Sequence, residues 1–304
     1  MAEQSFGGNW TETKLEMVER YLNAYMAIFS RNERAQYLRP FYVDGFAGSG
    51  ERRSQGKEVD SADQVLWQDF GSENGAYRGS VHRAMSTEPS FAGYVFIERN
   101  PNYTEKLQSL VKRDFPHLAG RVRILQEDVN VALPKWCRDM SRNDRAVVFL
   151  DPYGMQVNWT TIEAIAATQK IDLWLLFPLG QAVNRVLTND GLPPQAWQDR
   201  LTLFFGSHEW SEELYVDEEQ PSLFTADVGK RRTVTMLGIA NYFQGRLRKA
   251  FGKGVLDRHH VLKNSTGIPL YLMFFATSNP SASVIDASLR IAGDISQKLE
   301  RDGR

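Results

Sequence analysis

The sequence predicts an α/β fold of the doubly wound, Rossmann-like kind, a seven-stranded and mostly parallel sheet. Three observations predict it. Short runs at 41–43, 94–97, 122–125, 146–150 and 173–177, apolar but for Arg123, alternate with stretches of helical spacing. The first four runs lead into the acids Asp44, Glu98, Asp128 and Asp151. The first also opens a glycine-rich turn, residues 41–50 reading FYVDGFAGSG. Strands that alternate with helices form parallel sheets with both faces covered.

The elements follow in order. Thr11 is placed to cap a helix on which Leu15, Val18, Leu22, Met26 and Phe29 recur at three- and four-residue steps. This extra N-terminal helix is expected to pack on the sheet. The glycine turn after the first strand gives way to a polar insertion over 51–90, with helical-looking stretches at 62–70 and 80–85. The second strand is followed by Glu98, Arg99, Asn100 and Pro101 and a helical pattern over 103–115. Asp151, Pro152, Tyr153 and Gly154 close the fourth strand, and Pro178 stops the fifth.

Beyond Gly180 the pattern loosens into a second insertion, 180–228, expected to be helical and to face a substrate or partner. A long helix is predicted over about 230–251, then strands at 259–262 and 269–276 joined by a turn. That last pair, a hairpin, would bring the five parallel strands to seven. No linker or internal repeat divides the chain, so 1–304 reads as a single domain.

Composition excludes several classes. With 42% hydrophobic and 24% charged residues, the chain is far from disordered or collagen-like extremes. A net charge of −1 announces no global affinity for nucleic acid. One cysteine, Cys137, allows no internal disulfide and no cysteine-based metal cluster. The five histidines lack ligand spacing, so no metal is assigned. No apolar run approaches the ~20 residues of a membrane span, and the expected compartment is a reducing cytoplasm.

The chemistry concentrates at the strand ends. Gly45, Gly48 and Gly50, with Phe46 and Ala47 between, let a ligand approach the backbone at the carboxyl edge of the sheet. Nicotinamide-binding loops space their glycines as GxGxxG around a pyrophosphate, which Asp44 would repel; here the spacing is GxxGxG. A cofactor carrying an ammonium and a sulfonium suits the carboxylate, which points to S-adenosylmethionine (SAM). Glu98 stands where an acid accepts bonds from ribose hydroxyls, with Arg99 and Asn100 beside it. Asp128 suits an adenine amino group, and the backbone of Val129 the ring. Acids at strand ends also cap the helices that follow, so each admits that plainer role. Asp151, Pro152 and Tyr153 form the candidate catalytic group: a carboxylate and a carbonyl to hold an amine, and a ring to stack on a flat acceptor. Basic residues at 52, 53, 57, 230–232, 246, 248 and 249, with Asn184, Arg185 and His208, are weaker candidates for substrate contact.

Together YVDGFAGSG, FLDPYG, IDLWLLFPLGQAVNR and PLYLMFFATSNP resemble the three-Cys-motif partner proteins, TcmP, over roughly 40–280. The resemblance implies a class I SAM-methyltransferase fold, with Asp44, Phe46, Gly48 and Gly50 lining the SAM site and 151–154 facing the acceptor. It also implies a partner protein, encoded nearby, that carries a cysteine-held cluster. The loop is also similar to the DLFAGxG of cytosine 5-methyltransferases, but their nucleophilic Pro-Cys pair has no counterpart near Cys137. DPYG is similar to the DPPY of amino methyltransferases and the DPFG of tRNA guanine-N2 dimethyltransferases, though the second proline of DPPY is missing. The function these signals imply is methyl transfer to an amine of a nucleobase or similar flat acceptor. The alternative is a SAM- or nucleotide-binding subunit that docks the three-cysteine protein with little catalysis of its own.

Overall fold

The computed structural model describes residues 10–52, 77–221 and 226–302. Its centre is a seven-stranded sheet of β1 (Arg39–Asp44), β2 (Gly93–Ile97), β3 (Val122–Leu125), β4 (Asp144–Leu150), β5 (Ile171–Phe177), β6 (His260–Lys263) and β7 (Pro269–Thr277). The spatial order is β3-β2-β1-β4-β5-β7-β6. β1 pairs in parallel with β2 and β4, and the parallel ladder continues to β3 and β5. β7 alone runs backwards, antiparallel to both β5 and β6. This is the class I methyltransferase arrangement, a Rossmann-like sheet closed by a reversed strand.

Side chains alternate across the strands, so successive residues supply opposite cores. Val43, Val95, Val148 and Leu175 face one layer, built from α4 (Val129–Arg138), α5 (Trp159–Ala167) and α7 (Met236–Phe251). Tyr42, Phe96, Phe149 and Trp174 face the other, built from α1 (Trp10–Arg31), α2 (Ser80–Met85), α3 (Pro101–Asp114) and α8 (Ala282–Arg301). The strands are apolar almost throughout because both faces are covered. Leu22 on α1 is 1% exposed, and truncating such a leucine to alanine costs about 2–5 kcal/mol.

α1 spans the sheet from edge to edge. Near its start Lys14 bonds Asp151 at the carboxyl edge; two turns on, the Tyr21 hydroxyl donates to Asp172 Oδ2 at 2.7 Å at the opposite edge. Arg83 of α2 ties it sideways through Glu12 and Glu19.

The insertions depart from the sequence reading in part. Glu51–Arg52 pairs antiparallel with Tyr77–Arg78, so the first insertion leaves and returns across a short ladder; the stretch 62–70 lies outside the described residues. The second insertion is only partly helical. α6 (Gln195–Phe205) and a turn at Trp210–Glu213 lead into a ribbon of Tyr215–Pro221 against Ala226–Arg232. The helix expected from about 230 therefore starts at Met236, where the Thr235 hydroxyl accepts from Gly238 N–H. Pairing with Tyr215–Pro221 draws 230–232 into a strand, a choice of partner that helical spacing does not report. Phe204, Phe205 and Trp210 are buried in the core instead of facing a substrate.

Candidate functional site

Because β3, β2, β1 and β4 are parallel neighbours, the acids that follow them emerge on one edge of the sheet. The topology thus gathers Asp128, Glu98, Asp44 and Asp151, which lie far apart in the chain.

The glycine turn is held from both sides. Gly45 N–H donates to the Phe149 carbonyl at 2.9 Å and Ala47 N–H to the Ile97 carbonyl at 3.0 Å, so backbone from β4 and β2 carries it. Gly48 and Gly50 have φ of +59° and +72°, a region that side chains strain to adopt. Among the described residues nothing lies within 4 Å of where a Cβ on Gly48 would stand, which leaves open space beside the loop. Phe46 is half-buried and Ala47 buried.

Glu98 braces the same turn: its Oε2 accepts from Gly48 N–H at 3.0 Å and its Oε1 from Asn100 N–H at 2.7 Å. It caps no helix. That role falls to Asn100, whose side chain accepts from Asn102 N–H at the start of α3, while Arg99 is exposed beside it. Asp128 does take the plainer role as well, its Oδ1 accepting from Asn130 N–H at 2.8 Å at the start of α4, which Val129 opens.

Asp44 is fully buried. Burial pushes its carboxyl up to about 6, against bonds from the Ser80 hydroxyl, Phe46 N–H and the Tyr42 hydroxyl. The charge of Asp151 pushes the same way, which marks the two acids as electrostatic neighbours. What Asp44 can offer from that position is the field of its charge and the turn it anchors through Phe46 N–H.

Asp151 is partly exposed, Pro152 is buried and Tyr153 stands 74% exposed. The loop that carries them is clamped from two helices. Asn130 of α4 donates to the Gln156 carbonyl and accepts from Asn158 N–H and the Thr161 hydroxyl. Arg200 of α6 donates to the Met155 carbonyl and to Asn158 Oδ1.

One charged group here was not singled out in the sequence. Lys14 of α1, its side chain 4% exposed, places Nζ 2.5 Å from Asp151 Oδ2. The same ammonium lies 5.1 Å from the centre of the Trp10 ring, and Trp10 stacks on Tyr271 of β7 at 4.9 Å. Burial raises the Tyr271 hydroxyl far above its ordinary range, with Asp151 and Tyr153 pushing further and Arg185 opposing, so all four share one neighbourhood. The available signal was a lysine on the apolar stripe of an amphipathic helix, four residues before Val18.

The weaker candidates sort themselves by their contacts. Arg232 points inward to the Leu187 carbonyl and Asn184 Oδ1, which occupies Asn184 too. Arg246 bonds the Phe205 and Gly206 carbonyls and lies over Trp159. Lys230, Arg248 and Lys249 pair with Asp217, Asp257 and Glu209. His208 is exposed and meets Thr202, while Arg185 is exposed near Tyr271. Residues 53 and 57, and the side chain of Arg52, lie outside what is described. Cys137 is buried in α4, its thiol pushed by burial up to about 12, which leaves it an inert core residue.

No family model matches the sequence, and no curated protein is similar to it. Solved structures do match. A Legionella pneumophila protein of the family DUF519 superposes with a TM-score of 0.50 at 15% identity, over 95% of this chain and 93% of that one. At that identity the likeness is one of fold. A spermidine synthase from Thermotoga maritima (TM-score 0.37, 11% identity, 90% of this chain and 60% of that one) superposes more loosely. So does a putative methyltransferase from Escherichia coli (TM-score 0.28, 12% identity, 71% and 87%).

The residues present suit SAM. Among the described residues the loop is open at Gly48, the carboxylates of Glu98 and Asp128 lie on the edge beside it, and Asp44 and Asp151 add negative charge that Lys14 offsets in part. This is a set of acceptors for hydroxyls and an amine, with negative charge for a cationic centre.

Proposed function

We propose that this chain is a SAM-dependent methyltransferase acting on an exocyclic amine of a nucleobase or a similarly flat acceptor. The observation that carries the reading is the convergence of Glu98, Asp44 and Asp151 on the one edge where the glycine turn stands open. SAM, when bound, supplies an electrophilic methyl group on a sulfonium. Glu98 would hold the ribose while bracing Gly48, Asp128 and Val129 would meet the adenine, and Asp44 would supply field. Asp151 would accept a hydrogen bond from the acceptor amine, the Pro152 carbonyl a second, and the exposed Tyr153 would stack on the acceptor's ring. Positioning carries most of the rate in such a transfer. A nucleobase acceptor would have to arrive unpaired or extruded from its stack.

The TcmP resemblance adds a partner with a cysteine-held cluster, and the second reading is a SAM- or nucleotide-binding subunit that docks it. One observation favours that reading: Asp151 Oδ2 is already taken by Lys14. The deciding experiment follows tritiated methyl from SAM into total RNA, DNA and protein fractions, with and without the neighbouring three-cysteine protein. Label in one fraction names the acceptor class. SAM binding by calorimetry with no label anywhere would replace the enzyme by the docking subunit.

A further inference from the structure

A buried ammonium on an otherwise apolar helix face needs a reason. Desolvating Lys14 and Asp151 costs more than their attraction readily returns, and an apolar side chain of similar volume commonly serves stability as well or better. The surroundings are nonetheless built around the charge. The Trp10 ring lies against the ammonium and Tyr271 stacks behind Trp10, so Nζ is held by an anion, a π face and the packing of α1. Its place is the rim that carries two acids, Asp151 and its electrostatic neighbour Asp44.

We infer that Lys14 is a positioning residue for methyl transfer: it grips Asp151 by Oδ2, offsets the second negative charge on the rim, and turns Oδ1 toward the acceptor amine. The inference rests on the methyltransferase reading of this edge. A carboxylate gripped by one oxygen has fewer orientations open to it, and a small angular error at a transfer site costs rate without costing cofactor affinity. The N-terminal helix is then part of the acceptor site, with Trp10 and Tyr271 as the wall behind it.

The test uses the full chain, tritiated SAM and whichever cell fraction the wild type labels. Lys14→Met, close to isosteric, is expected to slow single-turnover transfer about 100-fold while SAM affinity by calorimetry stays within about twofold. Lys14→Arg, which keeps a charged donor, is expected to recover at least a tenth of the wild-type rate. Should Lys14→Met fail to fold, Lys14→Gln, polar but uncharged, carries the same expectation. Wild-type turnover in the uncharged variants overturns the inference and leaves the enzyme reading standing. Tritium recovered on Lys14 itself also overturns it, since the lysine would then be the acceptor. A wild type that labels no fraction removes both.

Discussion

Two carboxylates buried in opposite edges of the sheet make an instructive pair. Asp44 closes β1 at the carboxyl edge and Asp172 stands near the start of β5 at the other. Both are pushed by burial to about 6, and both are held by hydroxyls: Ser80 and Tyr42 for the first, Thr277 and Tyr21 for the second. By titration alone they are indistinguishable. They differ in what lies beside them. Asp44 anchors a glycine turn and feels Asp151, whereas Asp172, among the described residues, is held by the Thr277 and Tyr21 hydroxyls, with Tyr21 packed edge-on against Trp174. A perturbed acid alone does not mark a functional site; what singles out Asp44 is the glycine turn and the second charge beside it.

The sharpest way to break that contrast is at the carboxyl edge. Asp151→Ala should reduce methyl transfer by about 100-fold or more while SAM affinity is kept, checked by tritium transfer alongside calorimetry. Unchanged turnover would move catalysis elsewhere. Next comes Glu98→Ala, which removes the acceptor of two backbone N–H bonds and of the expected ribose contact. Losing about 2 kcal/mol there corresponds to a roughly 30-fold weaker SAM Kd. Equal affinity in the variant would take Glu98 out of the cofactor site.

At the other edge the expected readout is stability. The carboxyl of Asp172 sits at about 6 when folded and near 3.8 when unfolded, so the native state binds the extra proton between those values. Stability contributed by this group therefore falls as pH rises from about 4 to 6 and is flat above. Asp172→Asn should remove that slope, gaining on the wild type by up to ~3 kcal/mol, reduced by whatever the new amide leaves unsatisfied. Urea unfolding at pH 4.5 and pH 8 checks the sign, and SAM affinity should not move. The smallest effect is expected at Cys137, which should resist a thiol reagent at pH 8 in the native protein and react on unfolding.

Much of this was legible beforehand because it is written in short-range patterns. The run at 173–177 lies inside the observed β5, since a strand covered on both faces is apolar at every position, while the run at 122–125 matches the edge strand β3, where Arg123 is exposed. Glu98 and Asp151 were visible as the first polar groups after their runs, and Asp128 as the last of the polar trio 126–128 that follows β3. The ribbon strand Ala226–Arg232 was not, because its residues carry no strand alternation strong enough to compete with helical spacing and only pairing with Tyr215–Pro221 makes it a strand. Lys14 was missed differently. It was in plain view on an apolar stripe, but its counterion lies 137 residues away, and only the packing of α1 across the sheet brings the two together.

What the sequence determined alone is thus the set of parts: five parallel strands, a closing hairpin, a glycine turn with an acid before it, and acids at the strand ends. Those are local, because burial on two faces and positive φ impose residue types at the positions themselves. Only the tertiary structure decided which acids serve the backbone, which one faces outward, and that a lysine from the first helix grips it. Pairings across the fold depend on strand order and helix docking, which no single stretch of chain encodes.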